Sequence, residues 1–297
     1  MKISIATCPC SWGIFRADGY YTHVPYDLFL KQVQAAGYKE IELGPDGYLP
    51  VNIKVLKEEL AKYHLSVCAG TATISFYKAS NEECRGVVTA LAYRLVELDV
   101  KEMVVMDGSL WSENCTPKKN WTDAEWQTIY DNILDVNNYL KENFGIRMLY
   151  HPHADSAIEY LDEIEKMLSL GNIQLCFDTG HHVYVNGGTE KHDQSALNFI
   201  RIHKDRIPYL HFKNANGEIM KEARKEKWTC SYAFSHGAMC NLRDGIIDFL
   251  ELKVLLEEID YNGVAVVEQD MMGQTGEHAY KCAKENLQYL VEIGMID

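Results

Sequence analysis

VAVVEQD (Val264–Asp270) is an apolar run that stops on a carboxylate, Glu268. Three other stretches in the second half of the chain have the same form. MLYHPH (Met148–His153) stops on His151, LCFDTGHH (Leu175–His182) on Asp178, and YLHFK (Tyr209–Lys213) on His211. Short continuous apolar runs suit parallel strands covered on both faces. Each polar group then stands at the carboxyl end of its strand. A fold that gathers those ends creates a cluster of two imidazoles and two carboxylates, a divalent-metal site in outline. Any one of the four alone reads better as a solvated or hydrogen-bonded strand end. Their repetition carries the metal reading.

Working outward, eight short runs of this kind alternate with amphipathic stretches. The strands are expected at Ile3–Cys8, Glu40–Leu43, Leu65–Thr71, Glu102–Asp107, Arg147–His153, Ile173–Asp178, Pro208–Lys213 and Gly263–Glu268. Helices are expected between them. One opens on the capping-box pattern Thr122–Glu125 and runs to about Phe144. Eight βα units predict an α/β fold of the (β/α)8 TIM barrel type. A doubly wound open sheet is the alternative, and the first strand lacks the Gly-rich phosphate-binding turn that would favour it. With no linker or low-complexity segment, residues 1–297 read as a single TIM barrel domain. Its one long insertion, Asn214–Gly245, reads as a helix plus a loop near the barrel mouth.

The chain is 47% hydrophobic, so it can bury a large core. Its net charge of −14 argues against a nucleic-acid partner. Lys221, Arg224, Lys225 and Lys227 alternate with Glu222 and Glu226, the pattern of a solvated helix face. No apolar run approaches the roughly 20 residues of a membrane span. The nine cysteines are scattered and odd in number, and no secretion signal is evident. Both observations favour a reducing cytoplasm. Cys8 and Cys10 form C-x-C, to which no chemistry is assigned.

In a barrel, the carboxyl ends of the strands surround one mouth, where active sites form. His151, Asp178, His211 and Glu268 are therefore the expected metal ligands. The mixed donor set favours Mn²⁺, Co²⁺, Zn²⁺ or Fe²⁺ over Mg²⁺ or Ca²⁺. His153 lies two residues beyond His151 and shares its side of an extended strand, as an alternative ligand or a substrate contact. Lys213 stands in the same relation to His211, as a proton donor or anion clamp. One of His181 and His182 is expected to contact substrate or orient a ligand. Glu42 ends the second strand before a sharp turn at Gly44, Pro45 and Gly47, which lifts its carboxylate into the mouth. Trp12 either walls a sugar-like ring or packs under its loop. Asp107 either binds a hydroxyl or caps a helix. Gly237 and the Asp244–Gly245 pair lie in a loop that could cover the pocket.

The motifs ELGPDGYLP (Glu42–Pro50), YHPHAD (Tyr150–Asp155), CFDTGHH (Cys176–His182), HFK (His211–Lys213) and VEQDM (Val267–Met271) together resemble the xylose-isomerase-like superfamily. Within it they look most like the inosose dehydratase branch of myo-inositol catabolism. The resemblance spans nearly the whole chain. It implies a metal-dependent lyase that removes water from 2-keto-myo-inositol or a close polyhydroxy ketone through an enediolate. Mn²⁺ or Co²⁺ is the expected cofactor, and a homo-oligomer is a family-level expectation. For such chemistry Glu42 and His181 are the candidates for proton transfer, with Lys213 as donor to the leaving group; Trp12, His153, His182 and Asp107 are the candidate substrate contacts read from their positions. A sugar or cyclitol isomerase or epimerase is the main rival, and a non-catalytic sugar-binding barrel the third reading. Two positions depart from the dehydratase pattern: Asn214 replaces an acid after HFK, and Arg243 precedes Asp244–Gly245. Arg243 at the mouth would suit an anionic substrate.

Overall fold

A computed structural model describes residues 1–17, 23–110, 118–274 and 276–296. Eight parallel strands close into a barrel: β1 (Lys2–Thr7), β2 (Glu40–Glu42), β3 (Ser66–Ile74), β4 (Glu102–Asp107), β5 (Arg147–Tyr150), β6 (Gln174–Asp178), β7 (Tyr209–Phe212) and β8 (Asn262–Val267). Each pairs with its neighbour in sequence, and β8 closes on β1. This is the (β/α)8 TIM barrel that the alternation of runs predicts. Among the described residues no helix is long and apolar enough to cross a membrane.

Local chemistry explains the helices between the strands. Thr122 accepts from the Glu125 N–H, and Glu125 accepts from the Thr122 N–H, so the expected capping box opens helix Asp123–Phe144. Gly145, at φ 64°, ends it in the left-handed conformation that glycine tolerates. Gly44 and Gly47, at φ 67° and 87°, make the sharp turn expected after β2. The long insertion holds two helices, Gly217–Glu226 and Cys230–Ser235, and a two-residue ribbon pairing Asn214–Ala215 with Met239–Cys240. Helix Gly217–Glu226 carries the basic cluster. There Lys221 pairs with Glu218 and Glu190, as a solvated face would.

The strands' alternation sorts every later position. Ala6, Cys8, Ala69, Val104, Leu149, Cys176, Tyr209 and Val266 pack together inside the barrel. Ile41, Val105, Tyr150, Phe177, Leu210, Phe212 and Val267 belong to the larger core between strands and helices. Residues two apart share a side of a strand. The interior positions Leu149, Cys176, Tyr209 and Val266 therefore lead to His151, Asp178, His211 and Glu268. Register keeps these ends level: Asp178 pairs with His211 across β6 and β7, and Glu268 donates its N–H to the Phe212 carbonyl.

A candidate metal centre at the barrel mouth

Donor atoms of Asp178, His211 and Glu268 all lie within 4.8 Å of one another, and the three residues are buried. His211 Nδ1 is 2.6 Å from Glu268 Oε2 and 3.6 Å from Asp178 Oδ2. His211 Nδ1 faces the two carboxylates directly, and Asp178 Oδ2 is met by the Lys213 ammonium at 3.1 Å. One imidazole nitrogen and two carboxylates converging on one point fit a divalent cation. His151 stands beside them, its ring 4.8 Å from that of His211. Its Nδ1 lies 3.3 Å from the Cys176 carbonyl. Donation there leaves Nε2 as the free lone pair, the orientation in which histidine ligands are usually held. Burial, with the neighbouring His211, lowers the His151 pKa well below the ordinary value and keeps it neutral.

Asp178 does a second task. Its Oδ1 accepts the His181 N–H at 2.8 Å and caps helix Thr179–Asn186, which follows β6 without a loop. Lys213 is fully buried against this cluster. Its Nζ lies 3.1 Å from Asp178 Oδ2, 3.2 Å from Glu268 Oε1 and 3.0 Å from Asp270 Oδ2. It also donates to His181 Nε2 at 2.8 Å. Burial would lower the ammonium's pKa, but Asp178, Asp270 and Glu268 outweigh it and raise it well above the usual lysine range. Burial likewise opposes ionisation of Asp178, yet Lys213 and His181 hold its carboxyl well below the ordinary value.

The lysine stem needs room that only glycine gives. A Cβ on Gly180 would meet Lys213 Cγ at 2.4 Å and Cβ at 2.7 Å. Gly180→Ala is therefore expected to destabilise the protein by about 1–3 kcal/mol, the usual penalty of overpacking. Denaturant unfolding checks this, and an unchanged midpoint would mean that Lys213 sits elsewhere.

Glu42 reaches the same cluster from β2. Its Oε1 accepts from Tyr209 Oη and from His211 Nε2, both at 2.9 Å, and Thr71 Oγ1 donates to Oε2 at 3.3 Å. A bulge between Ile41 and Glu42 sets this orientation. Glu42, His153, His211, Glu268 and Asp270 line a cavity of about 320 Å³. A second hollow, about 250 Å³, shares Phe15, His153 and Asp270 with it.

His153 lies at this cavity for a reason other than the expected one. Strand β5 ends at Tyr150, before His151 and Pro152, and the chain then turns. The turn still brings the His153 ring 3.8 Å from that of His181. Three expected contacts lie elsewhere. Trp12 is fully buried, donates to Gln32 Oε1 at 2.7 Å and packs edge-on against Phe29. It packs under its loop, whereas Phe15 lines the cavity. His182 packs beside the stacked pair Phe177 and Phe199 in the outer layer. Asp107 follows the opposite parity from Val104 and Met106, so it turns outward and accepts the Ser109 N–H at 2.6 Å.

Burial pushes the Asp107 carboxyl up to about 6. Because that lies above the unfolded value of about 3.9, its stabilising contribution is complete below about pH 4 and is lost as pH rises through about 6. Relative to Asp107→Asn, the wild type should lose about 3 kcal/mol of unfolding free energy across that window. Urea titrations from pH 4 to 7 check this, and parallel curves would refute it.

The two departures from the dehydratase pattern are also placed. Asn214 is buried and satisfied: Nδ2 donates to the Leu242 and Ile247 carbonyls, and Oδ1 accepts from the Ala215 and Ile247 N–H groups. It ties the segment containing Asp244–Gly245 to the end of β7. Arg243 is exposed, pairs with Glu292 and lies over the Tyr289 ring, away from the residues that line the cavity. Arg243 is thus neutralised by Glu292 and does not line the cavity, contrary to the expectation of an anion contact at the mouth. Asp270, not among the residues expected from sequence, is buried two residues beyond Glu268 and meets the same lysine.

A family model described as xylose isomerase-like TIM barrel matches residues 30–293. An inosose dehydratase of Geobacillus kaustophilus is 27% identical over 297 residues, covering 96% of this chain and 93% of that protein. One of Clostridium beijerinckii is 24% identical over 295 residues, covering 95% and 96%. Among solved structures, the probable 3-DHS dehydratase AsbF from Bacillus anthracis superposes with a TM-score of 0.70 at 15% identity, covering 97% and 98%. A D-allulose 3-epimerase from Methylomonas sp. gives 0.68 at 15%, covering 98% and 97%. At such identity the structural likenesses speak for the fold alone.

Proposed function

We propose that this chain, which belongs to the xylose isomerase-like TIM barrel family, is a metal-dependent hydro-lyase acting on 2-keto-myo-inositol or a close cyclic polyhydroxy ketone. Asp178, His211, Glu268 and His151 would hold Mn²⁺ or Co²⁺, which supplies positive charge to polarise a carbonyl when bound. The likeness to proteins named inosose dehydratase over nearly the full length supports the substrate class.

One observation carries the reaction type: candidate groups for taking and giving a proton flank opposite sides of one imidazole. Glu42 meets His211 at Nε2, whereas Lys213 contacts Asp178 and Glu268, which face Nδ1. Glu42 lines the cavity and takes the proton from the carbon beside the ketone. The electron pair left behind delocalises into the carbonyl as an enediolate. The hydroxyl one carbon further on then leaves as water, and its proton comes through the Lys213, His181 and Asp270 contacts. Asp270 and His153 line the cavity, and Lys213 donates to Asp270, so this network would open onto a bound substrate. His153 is a substrate contact in this scheme, and His151, which lies against His211, is the ligand.

The test is chelator-stripped protein incubated with 2-keto-myo-inositol, with and without Mn²⁺ or Co²⁺, and read by mass spectrometry. A metal-dependent loss of one water is expected. A metal-dependent product of unchanged mass would mean isomerisation instead. Glu42→Gln should lower turnover by about a hundredfold or more while metal content stays unchanged; undiminished turnover would remove Glu42 from the mechanism.

A further inference from the structure

We propose that Cys8, Cys10 and Glu268 form a second metal site, selective for thiophilic ions, that shares Glu268 with the centre described above. After β1 the chain enters a short 3-10 helix, Pro9–Trp12, and Cys8 and Cys10 flank its proline. Both cysteines are free. Their sulfurs and a Glu268 oxygen all lie within 4.8 Å of one another. A tetrahedral ion with metal–sulfur bonds of about 2.3 Å holds two sulfurs about 3.8 Å apart, within reach of this arrangement.

The site is anchored and has an entrance. Thr7 Oγ1 and Ser11 Oγ donate to the Val267 carbonyl at 3.0 and 3.2 Å, and Ser11 Oγ accepts the Gln269 N–H at 3.2 Å. The segment bearing both thiols is therefore clamped to the backbone on either side of Glu268. Cys10 lines the large cavity and Cys8 lies buried behind it, so an ion arriving from solvent meets Cys10 first. Beyond Cys10 and Glu268, the Cys8 sulfur makes a weak contact of 3.9 Å with Ser11 Oγ.

Ligand softness sets the class of ion. Two thiolates and a carboxylate suit Zn²⁺, Cd²⁺ or Cu⁺, whereas imidazole with carboxylates suits Mn²⁺. Uptake releases two protons, one from each thiol. Because Glu268 belongs to both clusters, a thiophilic ion that takes it draws a ligand from the Asp178–His211 side.

Cd²⁺ titration of the chelator-stripped full chain tests this, read by the ultraviolet thiolate-to-cadmium absorption. Wild type should show the band saturating with one tight ion. Cys10→Ser should weaken that binding by about tenfold or more. Asp178→Asn, which dismantles the other centre, should leave the band in place, so the two sites fail separately. Mapped alkylation of the wild type gives an independent readout: Cd²⁺ should protect Cys10. No thiolate band, a full band in Cys10→Ser, or unprotected Cys10 would overturn the site.

Discussion

Asp178→Asn is expected to lose tightly bound Mn²⁺ and to lower turnover by about a thousandfold or more, the several kcal/mol that the ion's charge supplies to the reaction. The substitution is nearly isosteric. An Asn oxygen can still accept the His181 N–H, as Asp178 Oδ1 does at 2.8 Å, so the cap on helix Thr179–Asn186 survives. What goes is the negative charge at Oδ2, the buried atom that faces His211 and Lys213. The fold should persist while metal and activity vanish together. Metal analysis after gel filtration, alongside circular dichroism, separates these effects. Full metal content in Asp178→Asn would place the ion elsewhere.

Lys213→Met should be the most destabilising single change at the site, by about 3–5 kcal/mol in metal-free buffer. It removes the cation that lies within 3.2 Å of Asp178, Glu268 and Asp270. Three buried carboxylates then face one another with the His211 and His181 imidazoles in place of an ammonium to offset them. Methionine fills similar space, so lost packing contributes little. Because Mn²⁺ restores positive charge among the same oxygens, it should raise the melting temperature of the variant more than that of the wild type. A Lys213→Met protein of wild-type stability without metal would show that the lysine is not the cluster's countercharge.

Much of this site was legible because parallel-strand runs are apolar until they reach the mouth. The polar residue that stops each run marks both the strand's end and its inward side. That reasoning singles out Asp178, His211, Glu268 and Glu42, the two-residue rule adds Lys213, and the structure brings these five side chains into one buried cluster. Applied once more beyond Glu268, the same rule would have found Asp270. It gave the correct neighbourhood for His153 on wrong grounds, since β5 ends at Tyr150 and a turn carries His153 onward. Asp107 shows the limit. A strand-ending acid looks the same whichever way it points, and only the parity set by Val104 turns it toward the helices. Helix Thr179–Asn186 was hidden because Asp178 looks like a strand end while it is also a helix cap. For Trp12, His182 and Arg243 the sequence offers only residue type and neighbouring motif. Their partners, Gln32, Phe199 and Glu292, come from helices that local sequence does not connect to them.

The most direct test of the metal centre is anomalous X-ray scattering from crystals of the chelator-stripped protein soaked in Mn²⁺. The account predicts one strong peak enclosed by Asp178, His211 and Glu268, with His151 completing the protein ligands. A peak instead at the exposed His192, Asp248 and Glu251 cluster, or none at the mouth, would contradict it.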